Sequence, residues 1–330
     1  MSEIQKRKKD HIELALASQI DAAQSNSNLV YEPALGYEGK NTFSGLKIAG
    51  KHVKAPFWIS SMTGGTLETG ELNKVLAVAA NKLGAAMGLG SCRIALEDPK
   101  QLSFFQVRKE LGDDLPLFAN LGIAELETLV DRNQLFKLQE LVAATEADGL
   151  IIHINPLQEL LQPEGACHQK PPMDSLKALL DVANYPIIVK EVGQGFGPQS
   201  LNALLSLPLE AIELAGFGGT NFSRVEILRS KEKHPSLEAL GLIGHNPLEM
   251  LHWLNASTQI QCKNIIISGG VKDAIEGHHY NSLCKLPSLY GIASRLLKPA
   301  QTSVESLIEY LTIELKSYNI AADFLTLREN

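Results

Sequence analysis

The chain has 330 residues, 45% of them hydrophobic and 20% charged, proportions that suit a globular fold with a large core and exclude extensive disorder. Thirty basic residues against thirty-seven acidic ones leave a net charge of -7, so the overall field repels nucleic acid and anionic membrane. An anionic ligand must therefore be attracted locally.

The N-terminal stretch carries the basic run Arg7-Lys8-Lys9-Asp10-His11, and a helix is predicted from Arg7 to Ala23. Glu13, Gln19 and Asp21 interrupt its apolar residues, so no secretory segment is legible. No stretch reaches the roughly 18 uninterrupted apolar residues of a membrane span, and a soluble chain is expected. Short apolar runs of strand type then recur at Pro56 to Ser60, Gly84 to Gly88, Pro116 to Asn120, Gly149 to Ile154, Pro186 to Glu191, Ala211 to Ala215, Asn264 to Ser268 and Ser288 to Ala293. Continuous runs such as Ile187-Ile188-Val189 and Ile265-Ile266-Ile267 are those of strands buried on both faces. Helical patterns lie between the runs, as in Gly70 to Leu83, with Leu72, Val75, Leu76 and Ala79 on one face, and Asp174 to Val182.

Alternating units of this kind predict an α/β fold, a (β/α)8 TIM barrel with an N-terminal extension and a C-terminal helix. A single domain is expected over 1–330: an extension over 1–55, the barrel over 56–300 and a helical tail over 301–330, with a helix from Val304 to about Tyr318. Arg224 to Asn255 is longer than one barrel helix and predicts an extra loop or helix. An open doubly wound sheet is the alternative. Its dinucleotide fingerprint is not met, because Gly193-Gln194-Gly195-Phe196-Gly197 follows the fifth run and precedes Pro198. Cys92, Cys167, Cys262 and Cys284 form no CxxC pair, so neither a zinc cluster nor a disulfide framework is indicated and a reducing cytoplasm fits.

Polar residues and glycines gather where these runs end, the place where a barrel builds its active site. The ends read Ser61-Met62-Thr63-Gly64-Gly65, Gly90-Ser91-Cys92-Arg93, Asn120-Leu121-Gly122, Lys190-Glu191, Gly216-Phe217-Gly218-Gly219-Thr220 and Ser268-Gly269-Gly270. Ser268-Gly269-Gly270 and Ala293-Ser294 follow runs seven and eight, the usual phosphate position of such barrels. The fourth run ends in His153-Ile154-Asn155-Pro156-Leu157-Gln158-Glu159, which offers an imidazole, amides and a carboxylate able to bind a hard cation. Each feature alone has a plainer reading. Glycine pairs make turns, His153 could be a core histidine, Glu159 could be solvated, and Lys190 could pair with a structural glutamate.

Taken in order, these motifs together with the Arg7-Lys8-Lys9-Asp10-His11 run resemble the type 2, FMN-dependent isopentenyl-diphosphate isomerases from about Arg7 to Ala300. The resemblance implies a barrel that interconverts isopentenyl and dimethylallyl diphosphate by a 1,3-proton shift, with reduced FMN as acid and base and NADPH or NADH reducing the flavin. It implies FMN contacts from Met62, Thr63, Gly64, Ser91, Asn120, Lys190, Thr220, Gly269, Gly270, Ala293 and Ser294. It likewise implies substrate contacts from Arg7, Lys8, His11, Arg93, His153, Asn155 and Gln158, with Gln158 and His153 in the catalytic positions. Glu159 would hold Mg2+, and a homo-oligomer, tetramer or octamer, is expected. Cys92, Ala215, Asn221-Phe222, His245-Asn246-Pro247 and His278 through Pro287 depart from the usual pattern. An α-hydroxy-acid oxidoreductase is an alternative that needs a late His and Arg pair, for which His278, His279 and Arg295 are present but differently arranged; a non-catalytic flavin-binding barrel is another.

Overall fold

Every apolar run forms a strand in the computed structural model, which describes residues 2–41, 43–62, 64–162, 165, 169–231 and 234–328. The strands are β1 Phe57–Ile59, β2 Ala86–Gly88, β3 Leu117–Gly122, β4 Gly149–His153, β5 Ile187–Lys190, β6 Ala211–Glu213, β7 Asn264–Ile267 and β8 Ser288–Ile292. They pair in parallel in chain order, and β8 pairs with β1 to close the barrel. The open-sheet alternative is thereby excluded.

Alternate residues of a strand face opposite sides, so each strand divides its apolar residues between two cores. Trp58, Ala86, Phe118, Ile151, Ile188, Ala211, Ile266 and Leu289 supply one inward residue per strand and make an apolar inner layer. Their outward neighbours, such as Phe57, Met87, Leu150 and Ile265, belong to the larger core shared with the surrounding helices. Two residues further along each strand the inward positions are Ser60, Gly88, Asn120, His153, Lys190, Glu213, Ser268 and Gly291. All eight are polar or glycine. The barrel interior thus changes character within one layer, from apolar below to polar at the C-terminal mouth.

The lower end is closed by a hairpin, Leu46–Ile48 and Lys51–Val53, joined at Ala49 and Gly50, both with positive φ as a tight two-residue hairpin turn requires. Its Ile48 and Val53 pack into the inner apolar layer. The Ala49 N–H donates to Glu210 Oε1 at 2.7 Å, and Asn264 Nδ2 donates to the Lys47 carbonyl at 3.4 Å. These ties fix the hairpin beneath the starts of β6 and β7.

The flanking segments differ in extent from the sequence reading. The N-terminal helix spans Glu3–Leu14 and buries none of its residues, because its apolar positions have no neighbouring surface to pack on. Asp21 then caps a separate short turn over Ala22–Gln24. The C-terminal helix runs further than expected, Val304–Phe324, and packs on the Leu67–Leu83 and Ala274–Leu283 helices. Beyond it Leu325–Leu327 pairs antiparallel with Leu29–Tyr31. The long segment after β6 holds three helices, Phe222–Arg229, Pro235–Leu240 and Pro247–Ala256, the extra helix anticipated. Among the described residues no helix is long and apolar enough to cross a membrane.

Candidate active site

Two connected chambers open at the mouth. The larger, about 270 Å3, is walled by the ends of β5 to β8 and β1, and the smaller, about 120 Å3, by the ends of β1 to β5. Ser61, Met62, Lys190, Val192 and Phe222 line both.

The larger chamber contains most of the expected flavin contacts: Met62, Lys190, Thr220, Gly269, Gly270 and the Ala293-Ser294 turn. Its glycines are fixed by backbone crowding. A Cβ on Gly269, whose φ is +91°, would lie 2.0 Å from the Gly216 carbonyl oxygen, and one on Gly219 would lie 2.8 Å from the Gly270 nitrogen. The β6 and β7 loops therefore cross in contact, which only residues without side chains permit. Polar atoms face this space without partners: Ser60 Oγ, Ser61 Oγ and Glu213 Oε2 are buried and make no hydrogen bond among the described residues. Buried polar atoms are nearly always satisfied, so orphans around a cavity mark a place for a polar ligand. Ser91 and Asn120 line the smaller chamber, Gly64 abuts the Phe105 ring, and Thr63 lies outside the described residues.

Lys190 ends β5 and is buried. Its Nζ donates to the Glu191 carbonyl at 2.7 Å and stands 3.8 Å from Glu213 Oε1, so the structural-glutamate partner considered from sequence exists. Glu213 is fully buried and lies beside Lys190 in register. The neighbouring Glu191 carboxylate turns the other way and accepts the N–H groups of Gly193, Gln194 and Gly195 at 2.6 to 2.7 Å, folding the glycine-rich loop around itself. Burial pushes its carboxyl up, against the pull of those three donors.

On the smaller chamber's side, the Asn120 amide donates to the Leu89 carbonyl at 3.0 Å, which leaves its Oδ1 facing His153 Nδ1 at 2.8 Å. An amide oxygen only accepts, so Nδ1 carries the hydrogen and Nε2 presents a lone pair. Burial, then the nearby Lys190 charge, push the imidazole down to about 3 from 6.5. As pH falls from 6.5 toward 3 the unfolded chain gains a proton that the folded site refuses, so stability declines through that window. The His153 ring resonances should accordingly stay fixed between pH 7 and pH 5 in NMR titration, and a midpoint in that interval would contradict the arrangement.

Asn155 precedes the Pro156–Leu161 helix, where Pro156 is placed in the first turn and its missing N–H costs nothing. The Asn155 amide donates to Gln158 Oε1 at 3.1 Å and Glu159 Oε1 at 3.0 Å, while its own Oδ1 is buried without a partner among the described residues. Gln158 lines the smaller chamber with His153 and donates to Glu226 Oε1 at 3.3 Å. Glu226 also accepts from Gln162 at 3.0 Å and Arg229 at 2.7 Å. Arg93 pairs with Glu97 at 3.0 Å and Glu125 at 2.9 Å. Burial raises the Glu125 carboxyl, with Arg93 opposing. Among the described residues no cluster of three His, Cys, Asp or Glu is set to hold a metal, and the Glu159 carboxylate lies close enough to Glu125 and Arg93 to act on both electrostatically. Arg7, Lys8 and His11 sit on the exposed Glu3–Leu14 helix and line neither chamber.

Glu125, Glu213 and Glu226 were missed from sequence. Glu213 offered one signal, a charged residue inside the apolar run Ala211 to Ala215. Of the residues named for a hydroxy-acid enzyme, Arg295 borders the larger chamber but binds Glu314 at 2.9 Å and the Tyr310 hydroxyl at 2.9 Å, while His278 packs edge-on against Tyr318 and His279 packs against Tyr280, both outside the two chambers. Cys92, Cys262 and Cys284 are free thiols, with Cys92 and Cys262 pushed up to about 12 by burial, and Cys167 lies outside the described residues.

No protein-family model matches the chain. Among curated proteins, the isopentenyl-diphosphate delta-isomerase of Rickettsia felis is 34% identical over 325 residues, 95% of this chain and 90% of that one. That of Rickettsia typhi is 33% identical over 335 residues, 98% and 95% of the two chains. Similar solved structures include a mandelate oxidase mutant with a monooxide FMN adduct, with a TM-score of 0.59, 12% identity and full coverage of both chains. A flavocytochrome b2 mutant with pyruvate bound also has a TM-score of 0.59 and 12% identity, over 89% of this chain and 71% of that one. These likenesses show the fold. The sequence relatives show more, and the chain belongs to the isopentenyl-diphosphate delta-isomerases, as an enzyme of isoprenoid synthesis whose barrel fits the type 2 form.

Proposed function

We propose that the enzyme interconverts isopentenyl and dimethylallyl diphosphate on reduced FMN, with Mg2+ at Glu159 and NADPH as the reductant of the flavin. The observation that carries this is the joining of two unlike chambers at Lys190: a glycine-lined one with orphaned polar atoms, and one walled by Ser91, Asn120, His153 and Gln158. When bound, reduced FMN supplies the proton donor and acceptor that an unactivated alkene demands.

The chain's own residues bind, orient and exclude water. Backbone at Gly269, Gly270 and the Ala293-Ser294 turn would receive the flavin phosphate, while Met62, Gly64, Ser91, Asn120, Lys190 and Thr220 would hold the remainder of the cofactor; Thr63, the other expected contact, lies outside the described residues. Neutral His153 offers Nε2 as an acceptor or, after a tautomer change, a donor to a substrate oxygen. Arg93 would exchange its carboxylate partners for diphosphate oxygens, and the buried Asn155 Oδ1, which has no partner among the described residues, would accept from a water beside the diphosphate. Gln158, held between Asn155 and Glu226, borders the hydrocarbon. Glu159 suits Mg2+, which commonly takes one or two carboxylates and completes its shell with water and phosphate oxygens. Arg7, Lys8 and His11, exposed on their helix, reach a diphosphate in a homo-oligomer where that helix covers a mouth.

Incubating the protein with FMN, Mg2+, NADPH and isopentenyl diphosphate should yield dimethylallyl diphosphate. Yellow protein without product would sink the reading.

A further inference from the structure

Glu213 is the acidic residue of the polar layer, and the reaction above leaves its carboxylate unused. It is fully buried on β6, directly beside Lys190 of β5 in register, and lines the larger chamber. Its two oxygens differ. Oε1 accepts from Ser268 Oγ at 3.0 Å, and that hydroxyl in turn accepts the Ala215 N–H at 3.0 Å, so the serine proton is directed to the carboxylate. Oε2 has no partner among the described residues. A carboxylate oxygen in that state demands a donor, and the adjacent chamber is where one can enter.

Charge gives the second half of the argument. The other charged groups lining the larger chamber are Lys190, Lys272 and Arg295. Arg295 is paired with Glu314, and Lys272 is exposed beside Glu276. His153 in the adjoining chamber stays neutral. Lys190 is therefore the buried positive charge that a ligand meets, and Glu213, 3.8 Å from it, is the buried charge that offsets it.

We propose that Glu213 positions the flavin and sets its charge: Oε2 accepts a hydrogen bond from a donor of bound FMN, and the carboxylate cancels Lys190 so that the reduced ring keeps its proton. This rests on the FMN reading given above. Charge near the ring nitrogens is a principal means by which a protein tunes a flavin, and a reduced ring beside an uncompensated lysine would shed its proton readily.

The test is an anaerobic pH titration of the dithionite-reduced holoenzyme, followed by the absorbance of the flavin. In Glu213→Gln the reduced flavin should bind its proton about tenfold less tightly, a midpoint about one pH unit lower. Lys190→Gln should move it the opposite way. Glu213→Asp, which keeps the charge but shortens the reach, should titrate like the parent while releasing FMN several-fold more readily. A Glu213→Gln titration that superimposes on the parent, with FMN bound in both, overturns the proposal alone. A parent protein that binds no FMN overturns it together with the functional reading. If Glu213→Gln does not fold, Lys190→Gln decides, and a proton affinity unchanged or lowered there refutes the offset.

Discussion

Glu159→Gln should need at least ~100-fold more magnesium than the parent to reach half its maximal rate, while its flavin remains bound. The carboxylate is 6% exposed and tethered by Asn155, so it is already oriented and has surrendered most of its hydration. A hard cation that keeps most of its own water selects for negative charge, and the isosteric amide offers none. Helix Pro156–Leu161 and the Asn155 tether are compatible with glutamine, so folding should be spared. Glu159 does not line the larger chamber, so FMN binding should hold. Magnesium titrations of the steady-state rate, read beside the flavin absorbance, separate the two effects. An unchanged magnesium midpoint would remove Glu159 from the metal role.

Gly269→Val should cost at least ~3 kcal/mol of stability and abolish flavin retention, because two penalties act at one atom. The residue has a φ of +91°, which a β-branched side chain adopts only under strain, and its Cβ would meet the nitrogen and carbonyl oxygen of Gly216 at 2.1 and 2.0 Å. Neither neighbour is a side chain that could swing away. The β6 and β7 loops would have to part, opening the cradle proposed for the phosphate. Gly50→Ala provides the contrast: its φ is +77° but nothing lies within 4 Å, so only the conformational cost of about 1 kcal/mol remains. Denaturant midpoints and FMN content of the two variants measure the difference. Similar losses from both would show that loop crossing is unimportant.

The barrel was legible because parallel strands buried on both faces must be apolar without interruption, and runs such as Ile187-Ile188-Val189 can serve little else. The mouth was legible for the complementary reason, since polar residues beside glycine at consecutive strand ends have no use in a core. What escaped depended on contacts distant in sequence. Leu29–Tyr31 pairs with Leu325–Leu327 across nearly the whole chain, and three-residue strands carry almost no local signal. The hairpin over Leu46–Val53 reads as loop until its Ile48 and Val53 meet the barrel floor. Glu213 and Glu226 were passed over because burial of a carboxylate is decided by neighbours such as Lys190, Ser268, Gln158 and Gln162 from other elements. The N-terminal helix was overextended because periodicity cannot tell whether a partner surface exists.

The hairpin beneath the strands makes the barrel a cup instead of a tube. With Ile48 and Val53 packed in one apolar cluster with Trp58, Phe118 and Ile266, the floor is apolar, and both chambers lie at the opposite end, at the same rim. The strand ends that line both chambers are therefore also the ones that meet water, protons, substrate and product at the rim. A cover over that rim would shield both chambers at once.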